Sequence, residues 1–578
     1  MKINPFIALG YWRSFFMITA IGTPLGIYFA GMGGTGLNLP LNSLIYACAA
    51  GVVFFIWLPT RPTVVITTPF IYFLIGGVVL NIPLLYADQE VRESALWRAL
   101  ALLAGVGFYF SWLQLNLPFQ QRRGVLYAVV LLVGIQALIA LLQIFAPALS
   151  WVPIRGGRVF GSFLQPNVLG SFIATGLASL LMLFLMPGYV WRRYERLRTA
   201  LLAFGLLIFS ALLVWIQSRA AWLGAGAVVI LFFCLFGCHS PRRSMAAGTL
   251  AVAGALLGLG VMLWAAGDEG QTLRYISHDG STVARLSMLH DTLAMIAEKP
   301  LLGWGYGGFE YHFQHFRIAQ IPPTVVTEIA RHPHNEILLW WVEGGIVALI
   351  GMGIMLAGGV RLLVQAIRHD RKAQALGERS AGEGTALCLV LIPILVHSQL
   401  EYPFSLSAIH WLLFLLLLAT VERLSCGAQH RRALPGPSGV IFSNILRLLA
   451  VFGAVVMLAT FQGGRILTQA ERSGMKEMEA VDAMSPLTAL AHRERRVFDQ
   501  QTHALLVYNH TQDEILLKKY VSWAQGYLKR RIDNNVYASL IIILRHHGDI
   551  QSAENYRQDA ELIFPEDPRF VDPKNNIL

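Results

Sequence analysis

Apolar residues along the chain are gathered into long runs instead of alternating with polar ones. Thirteen of these runs reach about the 20 residues that an α-helix needs to cross a hydrocarbon core roughly 30 Å thick. Backbone groups inside a bilayer have no water to bind, so each run is predicted to be a helix. The runs lie near residues 14–31, 41–59, 64–86, 95–116, 124–147, 168–187, 199–217, 220–238, 245–266, 337–360, 385–400, 405–422 and 439–461. The pattern predicts an all-α, polytopic helical bundle in a lipid bilayer.

Basic residues set the predicted orientation of this bundle. They are concentrated in alternate loops, such as those holding Arg61 and the stretch 361–372, whereas the loop over 31–40 carries no charge. Cytoplasmic loops of membrane proteins carry an excess of Lys and Arg, so we expect a cytoplasmic N-terminus and, after thirteen crossings, a C-terminus on the outer side. Because the basic residues follow the loops, the net charge of +11 does not indicate nucleic-acid binding.

The last part of the chain has a different composition. Residues 462–578 contain no apolar run of membrane length, and apolar positions such as Val536, Leu540 and Leu544 recur at helical spacing. The segment 545–565 resembles the second half of a tetratricopeptide repeat. One such repeat cannot bury its apolar face alone, so neighbouring helical pairs are expected.

These differences divide the chain into two predicted domains. A membrane domain covers 1–461 and includes one long outward loop over about 267–334, and an α-helical domain outside the cytoplasm covers 462–578. The loop is far longer than the roughly 2–8 residues that join helices in bundles. Within it, apolar positions from Leu286 to Ile296 predict an amphipathic helix that ends before Pro300.

Four arginines on the predicted outer side need an explanation, because positive charge is disfavoured there. Arg155 and Arg158 follow the fifth run. Arg219 stands between the seventh and eighth runs, and Arg285 lies in the long loop. Each of them singly could pair with a carboxylate or extend along the membrane surface. As a set they favour a bound anion, since guanidinium groups match phosphate oxygens with two parallel hydrogen bonds.

Two histidines and a proline stand where the long loop re-enters the membrane, in the segment His332-Pro333-His334-Asn335. Titratable residues at a membrane boundary are costly and therefore indicate function. Pro333 suits the first turn of a helix, so His334 is predicted to lie near a helix N-terminus. The positive end of the helix dipole would keep its imidazole neutral and able to accept a proton. His334 is the candidate general base.

Two other groups of residues have suggestive chemistry but a poor arrangement. Ser287, His290 and Asp291 carry the groups of a catalytic triad, yet they crowd one turn of one helix. His312 and His315 could join the two histidines of the loop end around a metal ion. No cysteine or clear carboxylate ligand accompanies them, so no metal site is predicted.

These segments together resemble the superfamily of O-antigen ligases and protein O-oligosaccharyltransferases. The resemblance is carried by Arg158-Val-Phe-Gly161 with Gln165-Pro-Asn167, by Ser218-Arg219-Ala220, by the turn Pro300-Leu-Leu-Gly303-Trp-Gly305 with Phe309, and by His332-Pro-His334-Asn335-Glu336. The Gln-Pro-Asn segment, Glu401-Tyr402-Pro403-Phe404 and the large helical tail resemble the PglL-type branch, which glycosylates proteins.

The resemblance implies transfer of a whole glycan from undecaprenyl diphosphate on the periplasmic face of a bacterial inner membrane. The acceptor would be a Ser or Thr hydroxyl of a pilin-like or other periplasmic protein, and no metal or other cofactor is expected. His334, Arg219 and Arg285 would be catalytic. The residues expected to bind substrate are Arg155, Arg158, Gln165, Asn167, Tyr306, His332, Asn335, Glu401 and Tyr402.

Three alternatives remain open at this point. An O-antigen ligase that acts on lipid A-core, or a Wzy-like glycan polymerase, would use the same donor with a sugar hydroxyl as acceptor. A transporter would carry charged residues at mid-span positions and often repeated halves, and neither feature is evident. A membrane scaffold without catalytic function would leave the outward arginines unexplained.

Overall fold

A computed structural model of the chain describes residues 12–31, 33–154, 158–190, 193–265, 279–324, 328–426, 431–434 and 437–571. These residues are predominantly α-helical, and the predicted all-α class is confirmed. In chain order the helices are α1 (Arg13–Gly22), α2 (Pro40–Trp57), α3 (Thr68–Asn81), α4 (Gln89–Leu113), α5 (Phe119–Phe145), α6 (Pro166–Leu185), α7 (Glu195–Ile216), α8 (Arg219–Phe236), α9 (Pro241–Ala265), α10 (Asp279–Glu298), α11 (Phe309–Ile318), α12 (Glu336–Ala375), α13 (Glu383–Val390), α14 (Ile392–Leu400), α15 (Pro403–Leu406), α16 (Ala408–Ser425), α17 (Ser438–Arg472), α18 (Glu479–Asp482), α19 (Pro486–Ala489), α20 (Arg493–Thr511), α21 (Glu514–Leu528), α22 (Asn534–His546) and α23 (Ile550–Ile563). Two short strands, β1 (Thr63–Val65) and β2 (Arg431–Ala433), pair antiparallel with Thr63 opposite Ala433.

Within the described residues, twelve helical segments are long and apolar enough to cross a membrane. They extend from α2 to α17 and coincide with twelve of the thirteen apolar runs; helices α13 and α14 together form one of them. The chain is therefore a multi-pass membrane protein, as its hydropathy pattern predicts.

The first apolar run, near 14–31, is not among these twelve segments. Helix α1 ends at Gly22, and a 3-10 turn containing Pro24 follows it over Thr23–Gly26. Ten helical residues extend only about 15 Å, half the thickness of a hydrocarbon core. The apolar composition of this stretch predicted a full membrane span. Within the described residues, however, its helix is too short to cross a hydrocarbon core.

The chain divides into two compact units. The first comprises Met1–Ile75, Leu102–Ile276 and Ile354–Gln462. The second comprises Gly76–Ala101, Ser277–Gly353 and Gly463–Leu578. The tail therefore shares a unit with the loop segment that carries the two histidines, instead of standing apart as a separate domain.

Helix α6 is central to the first unit, and its residues from Val168 to Leu185 are all buried. It packs against α5, α7 and α8, which explains why it is apolar on every face. Close approach of the three helices needs a residue without a side chain at Gly176. A Cβ there would lie 2.4 Å from Val133 of α5 and 3.0 Å from Phe209 of α7.

The second unit contains several apolar clusters. One joins Met288 and Met295 of α10 to Phe309 and Phe313 of α11 and to the start of α12. Another is formed by the tail helices α21 to α23, with side chains of α11 packed against it. Helix α11 thus contributes apolar side chains to both the loop and the tail.

Helix α17 continues beyond the end of its apolar run. The run ends near residue 461, but the helix extends to Arg472. Its last turns bury Leu467 and Ala470 against Val481 and Met484 of the tail. A membrane helix can continue in this way because its amphipathic end finds a packing partner outside the apolar run.

Candidate active site

The histidine segment ends one residue before helix α12. The helix begins at Glu336, and Asn335 precedes it as the capping residue, with Oδ1 accepting a hydrogen bond from the backbone N–H of Leu338 at 3.0 Å. The prediction that Pro333 occupies the first helical turn was wrong, because Asn335 caps the helix two residues later. His334 is half-buried beside the helix N-terminus and has a left-handed backbone (φ 53°).

His332 is the more buried of the two histidines. Its side chain is buried, and its Nε2 lies 4.0 Å from a carboxylate oxygen of Glu336. Burial lowers the pKa of His332 well below the usual value, and the nearby His334 and Arg98 lower it further. Its imidazole is therefore neutral at pH 7.

The glycine-rich turn at 300–305 binds a break in helix α12. Gly345 interrupts the helix with φ 61° and ψ −153°, which leaves neighbouring backbone groups without helical partners. The turn supplies them: the N–H of Trp304 donates to Val342 O, and the N–H of Ile346 donates to Pro300 O, both at 2.9 Å. A Cβ at Gly345 would lie 2.3 Å from Leu301 O, so the two backbones touch. The turn acts as a clamp on α12.

A buried ion pair lies beside this clamp and was missed by the sequence analysis. Glu343, which is 2% exposed, pairs with Arg98 of α4 and also accepts a hydrogen bond from the backbone N–H of Phe309 at 3.3 Å. The Arg98 guanidinium lies over the rings of Tyr306 and Trp340, at 5.2 and 4.5 Å from their centroids. The sequence offered one signal of this pair, namely a single arginine, Arg98, near the start of an apolar run.

Tyr306, predicted to bind substrate, is a core residue in the structure. Its side chain is 1% exposed, and its hydroxyl donates to the backbone carbonyl of Leu80 at 2.6 Å. Burial raises the pKa of the Tyr306 hydroxyl above its ordinary value. Tyr306 lies beside Arg98 and the clamp, a position suited to holding the loop in place.

Arg285 lies half-buried on α10, the predicted loop helix. The helix ends at Glu298, before Pro300 as predicted, but of the predicted apolar stripe only Ile296 is buried, and Leu286, Leu289 and Leu293 remain exposed. Met288 and Met295 make the core contacts in their place.

The Ser287, His290 and Asp291 group is not arranged as a triad. Asp291 is bound by the guanidinium of Arg317 at 3.0 Å, and the same arginine donates to Ser287 Oγ at 3.0 Å. Asp291 therefore neutralises a buried arginine, and His290 does not stand between Ser287 and Asp291.

In the first unit, Arg158 binds the end of helix α7. Its Nη2 donates to the carbonyls of Ile216 and Gln217, at 3.3 and 3.1 Å. Burial lowers the pKa of Arg158 below its ordinary value, and the nearby Glu401 offsets only part of this shift. Gln217 has a left-handed backbone, after which Ser218 caps α8 and Arg219 is its first, half-buried residue. Arg158 thus helps to hold the turn that presents Arg219.

A second contact joins the start of α6 to the end of α14. Gln165 caps α6 by accepting a hydrogen bond from the N–H of Asn167, whose Nδ2 donates to Glu401 Oε1 at 3.0 Å. Tyr402 follows Glu401 and is half-buried. The first turns of α6 and α8 pack closely, because a Cβ at Gly170 would lie 2.7 Å from Ala221.

The structure therefore brings Arg158, Gln165, Asn167, Glu401, Tyr402 and the turn that bears Arg219 into the helix ends of the first unit. Arg155 lies outside the described residues. His332, His334, Asn335, Tyr306 and Arg285 belong to the second unit.

Among the described residues, one set of side chains has metal-ligand spacing. Ligand atoms of Glu514, His546 and His547 in the tail lie within 4.8 Å of one another. All three are exposed or partly exposed, and both histidines hydrogen-bond directly to Glu514. The set does not include any of the predicted site residues.

Two family models match different parts of the chain. A model described as O-Antigen ligase matches residues 203–353. A model described as Virulence factor membrane-bound polymerase, C-terminal, matches residues 385–575. Together the two matches support the O-antigen ligase superfamily for this chain. No individual curated protein matches it.

The two matches indicate a membrane-bound, glycosyl-transferring protein of the ligase or polymerase type. The O-antigen ligase match includes Arg219, Arg285 and both histidines of the loop end. The second match includes Glu401 with Tyr402, and it continues through the tail helices. The resemblance inferred from sequence motifs is confirmed for the superfamily.

Proposed function

We propose that the protein is a bacterial protein O-oligosaccharyltransferase of the PglL type. It would move a glycan in one piece from undecaprenyl diphosphate to a Ser or Thr hydroxyl of a pilin-like or other periplasmic protein. Its N-terminus would be cytoplasmic, and its tail would lie in the periplasm beside the inner membrane. Superfamily membership supports the glycan donor.

One observation supports the choice of a protein acceptor. The tail is attached to the loop that bears the histidines. Glu310 of α11 is buried and accepts hydrogen bonds from Arg531 Nη1 at 3.1 Å and from the backbone N–H of Ile532 at 3.0 Å. Arg331, next to His332, lies 3.5 Å from the same carboxylate. A helical domain fixed to the loop by buried charges is suited to present an acceptor chain near His334.

In the proposed reaction, the acceptor hydroxyl attacks the anomeric carbon of the donor. A new C–O bond forms to the acceptor, the bond from carbon to the diphosphate oxygen breaks, and the diphosphate leaves with the electron pair. His334 accepts the hydroxyl proton, a contribution of about 10²–10⁴-fold for a well-placed base. His332, neutral and buried beside it, supports the position of the segment.

The arginines would stabilise the charge that develops on the leaving diphosphate. Arg219 and Arg285 are proposed for this role, and Arg155 and Arg158 for binding the donor. Gln165, Asn167, Glu401 and Tyr402 would line the donor site. Because Asn335 caps α12 and Tyr306 lies in the core, we propose that these two position the loop instead of touching substrate.

A Wzy-like polymerase is the second candidate, favoured by the description of the model that matches 385–575. A ligase acting on lipid A-core is the third. Both would use the same donor and arginines, with a sugar hydroxyl as the acceptor.

Reconstitution with competing acceptors distinguishes the three. Purified full-length protein would receive one lipid-linked glycan together with a pilin-like protein, lipid A-core, or excess lipid-linked glycan. The proposal predicts glycan on the protein acceptor and on neither of the others. Transfer only to lipid A-core, or only chain extension on the lipid carrier, would assign the ligase or the polymerase instead.

A further inference from the structure

A cavity in the second unit lies between the glycine-rich turn and the tail. Its volume is about 220 Å³, below the roughly 300–1,000 Å³ of typical drug-sized ligand sites, so it fits one small ring or residue. Its lining includes Gly307 of the turn and, from the tail, Arg493, Glu494, Trp523, Arg530 and Arg531. None of these residues has a part in the reaction described above.

Two ion pairs of Arg531, one of them with the buried Glu310, hold the wall of this cavity. Arg531 Nε donates to Glu494 at 2.7 Å, and its Nη1 donates to Glu310 at 3.1 Å. Glu310 is 2% exposed and also accepts from the backbone of Ile532, so the lining side chains are held in place before any ligand enters. Preorganised groups bind with a smaller entropic cost.

Two arginines of the cavity remain available to a ligand. Arg530 is half-buried, and its Nε is shielded from solvent without a hydrogen-bond partner among the described residues. Arg493 also lines the cavity and is exposed. A shielded N–H donor without a partner costs free energy, which an incoming anionic oxygen would recover.

The rest of the lining favours a sugar over a bare phosphate. Trp523 packs against Tyr520 and Tyr527, with centroids 5.2 and 5.0 Å away, and with Val497 provides an apolar wall for a sugar ring. Glu93 and Glu494 also line the cavity; they would repel a dianion and accept hydrogen bonds from hydroxyl groups.

We propose that this cavity binds one acidic sugar residue, with its carboxylate on Arg530 and Arg493 and its ring on Trp523. The identity of the ligand as part of a glycan rests on the proposed function. The cavity is linked to the histidine segment through one carboxylate. Arg531 in the cavity wall and Arg331 beside His332 both bind Glu310.

The test is direct binding of glucuronate to the purified full-length protein, measured by ligand-observed saturation-transfer NMR. Glucose and inorganic phosphate are the comparison probes, and neither needs the enzyme to turn over. Wild-type protein should transfer saturation to glucuronate, more weakly to glucose, and phosphate should not displace glucuronate at equal concentration. Arg530→Ala should weaken binding about tenfold or more, because a charge-assisted contact is lost.

Matched variants distinguish a loss of glucuronate binding at the cavity from a general loss of folded protein. Arg493→Ala and Trp523→Ala should also weaken glucuronate binding, whereas Arg545→Ala, a partly exposed arginine outside the cavity lining, should not. Arg493 is exposed, so its variant tests the proposal even if Arg530→Ala fails to fold.

Equal glucuronate binding by wild type and the cavity variants would overturn the proposal, and so would displacement by phosphate. Failure of glycan transfer in the reconstituted system, with glucuronate still bound at the cavity, would instead count against the proposed enzymatic function.

Discussion

Two regions that carry predicted site residues use polar side chains in different ways. At the helix ends of the first unit, Arg158 donates to the carbonyls of Ile216 and Gln217, and Asn167 donates to Glu401. Around the loop of the second unit, charged side chains form ion pairs with buried carboxylates, as Arg98 does with Glu343. Arg531 likewise joins two carboxylates, of which Glu310 is buried. The first region relies on hydrogen bonds at helix ends, whereas in the second region ion pairs join the loop to helix α4 and to the tail.

The largest expected effect is on catalysis, at the loop end of the second unit. His334→Ala should reduce glycan transfer by about 10²–10⁴-fold, because the proposed base is lost. Binding of the lipid-linked donor should change little. His332→Ala is the matched control and should be milder, since His332 is proposed to support the segment. Initial rates, normalised to folded protein, would check this; near-normal turnover by His334→Ala would remove it as the base.

Breaking the ion pair beside the loop should affect stability more than removing the hydrogen bond at the start of α6. Glu343→Gln leaves Arg98 without its counter-charge and should cost about 3 kcal/mol. Asn167→Ala removes one hydrogen bond and should cost about 1 kcal/mol. Thermal unfolding in detergent, with hydrogen exchange over 300–309, measures both. Glu378→Gln, an exposed glutamate, is the control. Equal losses at Glu343 and Asn167 would contradict the contrast between the two regions.

One arginine from each unit tests whether both contribute to a single reaction. Arg219→Ala and Arg285→Ala should each lower transfer by about 10–150-fold, the equivalent of 1.5–3 kcal/mol for a lost charge-assisted contact. Lysine at either position should restore only part, because it lacks the planar fork. Transfer assays with donor titration would show the loss. Full activity of both alanine variants would exclude the arginines from the mechanism.

The last expected effect concerns pH and the tail. Burial raises the pKa of Asp499 to about 7, and Glu471 adds to the shift. In the unfolded chain this carboxyl ionises near pH 4, so the folded protein holds a proton that the unfolded chain releases between about pH 4 and 7. Stability should therefore fall as pH rises through that window and remain low above it.

Asp499→Asn removes this titration. The decrease in unfolding temperature from pH 5 to pH 8 should be smaller in the variant than in the wild type. Thermal unfolding monitored by hydrogen exchange of helix α20 provides the measurement. An unchanged decrease would mean that another group is responsible for the pH dependence.

The membrane helices were predictable because a bilayer leaves an apolar run few choices besides a helix. Three details were not. Pro24 follows the end of the first run's helix, Gly345 breaks α12 where the loop turn binds it, and α17 continues to Arg472 against the tail. The break at Gly345 and the extension of α17 depend on packing that an apolar run does not record, whereas Pro24 is a local signal that a count of apolar residues does not register.

The sequence analysis selected residues whose signals are local. Gln165 and Ser218, which cap α6 and α8 in the structure, and the histidines at the loop end all stand in short motifs. The pairs Arg98 with Glu343 and Glu310 with Arg531 join residues more than two hundred positions apart. Composition gives no sign of such pairing, nor of the hydrogen bond by which Tyr306 reaches Leu80, more than two hundred positions away. The cap that Asn335 gives to α12 is local and could have been read from its place before Glu336.

The most direct test of the account is the intact mass of a pilin-like acceptor incubated with lipid-linked glycan and purified protein. With the wild-type chain, the acceptor should gain the mass of the whole glycan in a single step, and with His334→Ala it should remain unmodified. An unmodified acceptor in the presence of the wild type, while lipid A-core or the lipid-linked glycan itself gains that mass, would contradict protein O-glycosylation.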